Sequence, residues 1–389
     1  MSFAPPAASR RSAVDPFRAM DVMSAAARRE AEGGRVVHME VGQPSAPVPA
    51  AVVQAAHAAL AGGRIAYTEA LGLPALRARI ARHYRDRHGI DVPAERIAVT
   101  TGSSGAFNLA FLAAFDPGDR VAVPAPGYPA YRNVLKALSL EPVEVETDAA
   151  TRWSIAPDQL ERAHAERPLK GVLVASPNNP TGTVMAPEAL RALTAAARDL
   201  GLWFLSDEIY HGLVYDGVEE TALAFGDDAI VINSFSKYYC MTGWRVGWMV
   251  LPERLARPVE RIAQNLYISA PDISQRAALA AFAATAELEA VKAGYRENRD
   301  ILLARLPQIG FDEILPADGA FYIYASVRRF SNDSAEFARR MLAEAGVAAT
   351  PGLDFDPVRG SGYIRFSFAG SRDEMIEASD RLAAWLGPR

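Results

Sequence analysis

Short runs of consecutive apolar residues alternate with longer stretches in which apolar residues recur every three or four positions. The runs Ile97–Thr100, Arg120–Val123, Pro142–Glu146, Gly171–Ala175, Trp203–Ser206, Ile230–Ser234 and Val246–Leu251 read as strands. Between them the spacing predicts helices over about Ser104–Phe115 and Pro187–Leu200. Strands alternating with helices point to an α/β fold, with a mostly parallel sheet covered by helices on both faces.

Beyond about Ala290 the pattern changes. A helix through Tyr295–Leu306 is followed by strands near Phe321–Ala325 and Tyr363–Phe368. Ser371-Arg372-Asp373-Glu374 carries a capping-box signature, so the last helix should begin there and run to Leu386. This α+β stretch predicts a smaller second domain. The expected division is an N-terminal arm and part of the small domain over 1–45, a large domain over 46–290 and a small C-terminal domain over 291–389. The first forty residues show no clear strand and read as an arm plus a helix around Ala19–Glu32.

Composition narrows the function classes. With 389 residues, half of them apolar and 22% charged, the chain has the balance of an ordinary globular enzyme rather than a disordered protein. A net charge of −5 gives no reason to expect nucleic acid or an anionic membrane as partner. Cys240 is the only cysteine, which rules out an intrachain disulfide and reads as a small buried hydrophobe. No histidine pair at ligand spacing lies beside a carboxylate motif. His83 and His88 read as a solvated helix face, and no metal is expected. The longest apolar stretch, Ala106–Phe115, is too short to span a bilayer and contains Asn108. A cytoplasmic location is the expectation.

The chemistry gathers where strands end. Lys237, in Ser234-Phe235-Ser236-Lys237, follows a strand at the sheet edge where α/β proteins bind ligands. A lone lysine there would be an ordinary surface residue, but hydroxyls flank this one and Arg245 follows eight residues on. Two hydroxyls and a planar guanidinium form a cup for a phosphate dianion. Ser103 and Ser104 sit in a small-residue turn that opens a helix, where free backbone N–H groups also favour an anion. Asp207, ending another strand, is placed either to cap a helix or to keep a pyridine nitrogen protonated, with Tyr210 near a ring hydroxyl. Asn179, in a proline-rich turn, offers an amide to a ring oxygen and a substrate carboxylate.

The motifs SPNNPTG at 176–182, SDEIY at 206–210, and SFSK followed by TGWRVGW at 234–248 resemble the aspartate-aminotransferase-like, fold type I enzymes that use pyridoxal 5'-phosphate. The resemblance extends from about Gly42 to the C-terminus. It implies that Lys237 carries the cofactor as a Schiff base and that Asp207 partners the pyridine nitrogen. It places Asn179 and Tyr210 at the ring oxygen, and Ser103, Ser104, Ser234 and Arg245 at the phosphate. Tyr128 falls where the family stacks an aromatic ring on the cofactor, and Arg365 where it grips the substrate α-carboxylate. Gly42 matches a loop over the substrate. Tyr67 matches a tyrosine given to the neighbouring subunit's phosphate, which implies a homodimer with shared active sites. The implied activity is ping-pong transfer of an amino group from an L-amino acid to a 2-oxo acid, with a cysteine-conjugate-type β-lyase as the alternative. Leu266-Tyr267-Ile268 suggests an apolar substrate side chain, and Arg276 lies in the region of a possible second carboxylate-binding arginine.

Overall fold

In the computed structural model, which describes residues 7–387, the apolar runs of the middle of the chain become one seven-stranded sheet. The first six residues of the expected arm lie outside the described residues. In chain order the leading elements are α1 (Arg18–Ala31), β1 (Val37–His38), α2 (Ala50–Ala61), α3 (Pro74–His88), β2 (Ile97–Thr100), α4 (Gly102–Ala114) and β3 (Arg120–Ala125). Next come α5 (Pro129–Ala137), β4 (Glu141–Glu146), α6 (Pro157–Glu166), β5 (Gly171–Ala175), α7 (Pro187–Asp199), β6 (Trp203–Asp207), β7 (Ile230–Ser234) and β8 (Gly247–Val250). The chain then continues through α8 (Glu253–Leu266), α9 (Asp272–Ala281), α10 (Thr285–Ile309), β9 (Asp312–Ile314) and β10 (Tyr322–Ser326). It ends with α11 (Ser334–Arg340), β11 (Val347–Ala348), β12 (Thr350–Pro351), β13 (Tyr363–Ser367) and α12 (Arg372–Leu386).

The large sheet has the order β2-β8-β7-β6-β5-β3-β4. β8 is antiparallel to both neighbours, and the other strands run parallel. The inner strands are largely apolar because both faces are covered, whereas the edge strand β4 carries Glu141, Glu144 and Glu146. Along β5, Val172 and Val174 enter one core cluster and Leu173 the other, and along β7 Val231 is opposed to Ile230 and Ile232 in the same way. Because the chain leaves these parallel strands at their C-terminal ends, the motifs that follow β2, β3, β5, β6 and β7 emerge along one edge of the sheet.

A second sheet, β12-β13-β10-β9, is antiparallel and has its own core around Phe311, Ile323, Phe366 and Phe368. The capping box of α12 forms as the sequence predicts, with Ser371 Oγ accepting from Glu374 N. Two features differ from the sequence expectation. The first forty residues do contain a strand: β1 pairs with β11 in parallel, a two-residue element visible only through its distant partner. His83 and His88 are half-buried and do not form a solvated face. His83 packs against Trp248 and Phe282, and His88 faces His211 with ring centroids 5.8 Å apart. Burial pushes these two imidazoles down to about 3 and about 4.

His88 and His211 also bring their ring nitrogens within 4.8 Å of a Glu219 carboxylate oxygen, a convergence that sequence spacing hides. Glu219 is already engaged: Arg87 Nε donates to it at 2.6 Å and Gly212 N at 2.5 Å. Burial opposes its ionisation, yet His211 and Arg87 hold its carboxyl down at about 2.

Candidate active site

The loops at the C-terminal strand ends and the second sheet enclose a cavity of about 200 Å³. Its wall includes Gly42, Ser103, Ser104, Tyr128, Asn179, Asp207, Tyr210, Lys237, Arg245 and Arg365, ten of the residues singled out in the sequence. Two others stand apart. Ser234 lies beneath the wall and donates to Ser236 Oγ at 2.9 Å, so Ser236 is the hydroxyl that reaches the cavity. Tyr67 is 80% exposed and does not line this cavity.

Lys237 Nζ donates to the Gly42 carbonyl at 2.5 Å. Burial lowers its ammonium to about 8, helped by Arg365 and Arg245 and opposed by Asp207. Asp207 ends β6 and is buried. Burial raises its carboxyl to about 6 against the hydrogen bonds it accepts from Tyr131 Oη and Ile209 N. A carboxylate held in this way is strongly favoured to ionise when a cation faces it.

Arg245 and the turn from β2 into α4 make the opposite kind of corner. Thr101 precedes α4 without any side-chain cap, so the first amides of the helix have no capping oxygen from it. Gly102 has φ +72° and a Cβ there would lie 2.7 Å from Arg245 Nη2, so only glycine lets the guanidinium come this close. On the far wall Arg365 lies between the rings of Tyr322 and Phe355, at 4.4 and 4.8 Å from their centroids. It donates to Asn179 Oδ1 at 3.0 Å and to the Glu40 carbonyl, while its buried Nε has no partner.

Several lining residues carried no signal in the sequence. Tyr131 is the donor to Asp207. Tyr322 Oη meets Tyr210 Oη at 2.7 Å, and a Cβ on Gly42 would sit 1.8 Å from it. Phe17, Ala19 and Met20 arrive from the start of α1, and Val41, Phe107 and Ile209 add to the apolar part. The stretch Leu266–Ile268 does not line the cavity, contrary to the sequence expectation: Leu266 and Ile268 are exposed at 56% and 45%. Arg276 is also elsewhere, with its Nε donating to Asp272 at 2.8 Å.

The sequence profile described as aminotransferase class I and II matches residues 35–382. The chain belongs to this family. It is 48% identical to a valine–pyruvate aminotransferase of Mycobacterium tuberculosis over 97% of each chain. Among solved structures, an aminotransferase from M. tuberculosis superposes with a TM-score of 0.96 at 47% identity, covering 98% of this chain and 99% of that one. The aspartate aminotransferase of Thermus thermophilus with maleate superposes with a TM-score of 0.92 at 33% identity, covering 98% and 100%.

Class I and II aminotransferases depend on pyridoxal 5'-phosphate, and the donor set of this cavity fits that group. A dianion suits the corner of Arg245, Ser236 and the open end of α4. Asp207 suits a protonated ring nitrogen, and Lys237, with its lowered pKa, suits an aldehyde.

Proposed function

We propose that this aminotransferase moves the amino group of an L-amino acid with an apolar side chain to a 2-oxo acid such as pyruvate. The convergence of Lys237, Asp207, Arg245 and Arg365 on one cavity carries this reading. The apolar preference is supported by Phe17, Met20, Val41 and Ile209 in the wall, and by the similarity to the valine–pyruvate enzyme. Arg245 and Arg365 are the arginines at the cavity wall among the described residues, and the first is assigned to the phosphate.

When bound, pyridoxal phosphate supplies the electron sink for charge developing at the substrate α-carbon. Asp207, its carboxylate fixed by Tyr131, would partner a protonated ring nitrogen. Arg365 takes the substrate α-carboxylate with its fork, using the unpartnered Nε, and Asn179 orients that fork. Fixing the carboxylate decides which α-carbon bond stands ready to break. With the cofactor bound, Lys237 Nζ would hold it, then take the proton from the substrate α-carbon as general base and deliver it two atoms away, on the far side of the amino nitrogen. The 2-oxo product leaves before the second 2-oxo acid enters, so ping-pong kinetics follow.

We further propose a cytoplasmic homodimer in which the exposed Tyr67 serves the partner's phosphate site. The expected domain division near residue 290 falls inside α10, which we propose as the connection between the two parts.

The test is the visible absorbance of the purified holoenzyme as single amino acids are added without a 2-oxo acid. Valine or a similar amino acid should bleach the cofactor band, and pyruvate should restore it. Lys237→Ala should abolish turnover. A band that persists while pyruvate and ammonia accumulate from a cysteine conjugate would favour the β-lyase instead. Faster bleaching by aspartate than by any apolar amino acid would overturn the substrate assignment.

A further inference from the structure

The apolar side of the cavity is built partly by the start of α1, and that start is held in an unusual way. Phe17 precedes the helix and offers no side-chain cap. The cap comes instead from a residue more than three hundred positions away. Asp354 Oδ1 accepts from Arg18 N at 3.1 Å and Asp354 Oδ2 from Ala19 N at 3.3 Å. A carboxylate at this position satisfies two orphan amides and faces the positive end of the helix dipole.

Asp354 is itself firmly placed. It is 1% exposed, and its carbonyl accepts from Arg132 Nη2 at 2.7 Å. The next residue, Phe355, gives its carbonyl to Gly127 N at 3.0 Å and its ring to the Arg365 guanidinium at 4.8 Å. Gly352 and Gly360 pass so closely that a Cβ on either would lie 2.4 Å or less from the other's carbonyl oxygen. The turn is therefore closely packed, whereas the segment that leads into α1 is not. Residues 10–16 are all exposed. Phe17 meets Tyr128 edge-on at 5.9 Å, and Asp15 accepts from Asn133 Nδ2 and Lys136 Nζ at the surface.

We propose that Asp354 is a positioning residue for substrate selection: its carboxylate fastens the first turn of α1 so that Phe17 and Met20 form a fixed wall against the substrate side chain. This goes beyond the transamination reading and rests on it. The same two-residue segment ties that wall to Arg365, so the groups that hold the two ends of the amino acid share one rigid support. Removing the carboxylate frees the wall, while Arg365, whose charge acts on that carboxylate, keeps its hydrogen bonds to Asn179 Oδ1 and the Glu40 carbonyl.

The test uses holoenzyme of the wild type, Asp354→Ala, Asp354→Asn and Phe17→Ala. kcat/KM is measured for L-alanine, L-2-aminobutyrate, L-valine and L-leucine, beside hydrogen exchange of the amides at 18–21. In Asp354→Ala the exchange should rise by about tenfold or more. The preference for the larger side chains should shrink by about fivefold to tenfold, with L-alanine affected least. Asp354→Asn, which keeps an acceptor oxygen, should recover part of both effects. Phe17→Ala should flatten the preference without changing the exchange, which separates the wall from its fastening. An equal loss for every amino acid, or unchanged exchange in Asp354→Ala, would overturn the proposal. If Asp354→Ala does not fold, the same criteria apply to Asp354→Asn. Failure of the wild type to transaminate any of the four would instead sink the functional reading, whatever the exchange shows.

Discussion

Burial of Lys237 costs its ammonium solvation and brings it beside two guanidinium groups, which together outweigh the help from Asp207. Its amine should therefore be substantially neutral near pH 8, well below where a free lysine loses its proton. A neutral amine is the nucleophile that captures an aldehyde. The rate at which apo-protein takes up pyridoxal phosphate should consequently rise with pH and level off above about 8. Stopped-flow absorbance across a pH series checks this, and a rate still climbing steeply at pH 10 would show that the lysine is unperturbed. The sign for stability is the same. The folded apo-protein binds fewer protons than the unfolded chain between about 8 and the 10.5 of a free lysine, so this group's contribution rises with pH across that window. Arg365 shows the other use of burial: two flanking rings fix the plane of its guanidinium, leaving Nε for a ligand where a lysine would have neither plane nor fork.

The turn from β2 into α4 must bring backbone and guanidinium together, and Gly102 permits it with φ +72° and no Cβ. Gly102→Ala should cost about 1–2 kcal/mol in backbone strain alone and drive Arg245 away from the helix end. Cofactor affinity should fall by at least about tenfold, the worth of one charge-assisted contact. Titrating apo-protein with pyridoxal phosphate by absorbance reads the change, and an unaltered affinity would remove Arg245 and this turn from the phosphate site. Elements of this kind were legible in the sequence because each is local: an apolar run, a small-residue turn and a helix start sit side by side in the chain. Asp207, Lys237 and Arg245, which share the cavity wall, stand out in the sequence for that reason. Tyr131, Tyr322 and Phe17 were not, since each acts through a partner far along the chain that periodicity does not encode. The pairing of β1 with β11 was hidden for the same reason. The half-buried His83 and His88 misled because a basic helix can still pack one face on an aromatic core.

Across the whole molecule one assigned group does not close on itself. Tyr67 is a large aromatic left 80% exposed, and it lines no part of the cavity in its own chain. Ile65, Leu266 and Ile268 are likewise exposed, at 44%, 56% and 45%, on segments joined near Thr68 by its backbone bond to Ser269 Oγ. Apolar surface of this sort is what a second copy would cover. If Tyr67 serves the partner's phosphate site, its effect must cross between subunits, and hybrids can reveal that. A Lys237→Ala subunit has no anchoring lysine, and a Tyr67→Ala subunit lacks the hydroxyl. In a mixed dimer, the site with an intact Lys237 draws its tyrosine from the Lys237→Ala subunit and is complete. Coexpressed, differently tagged subunits should therefore yield a hybrid with one site of wild-type cofactor affinity. In the Tyr67→Ala homodimer both sites should bind the cofactor more weakly. A hybrid whose single lysine site binds as weakly as that homodimer would place Tyr67 in the service of its own chain and break the shared-site arrangement.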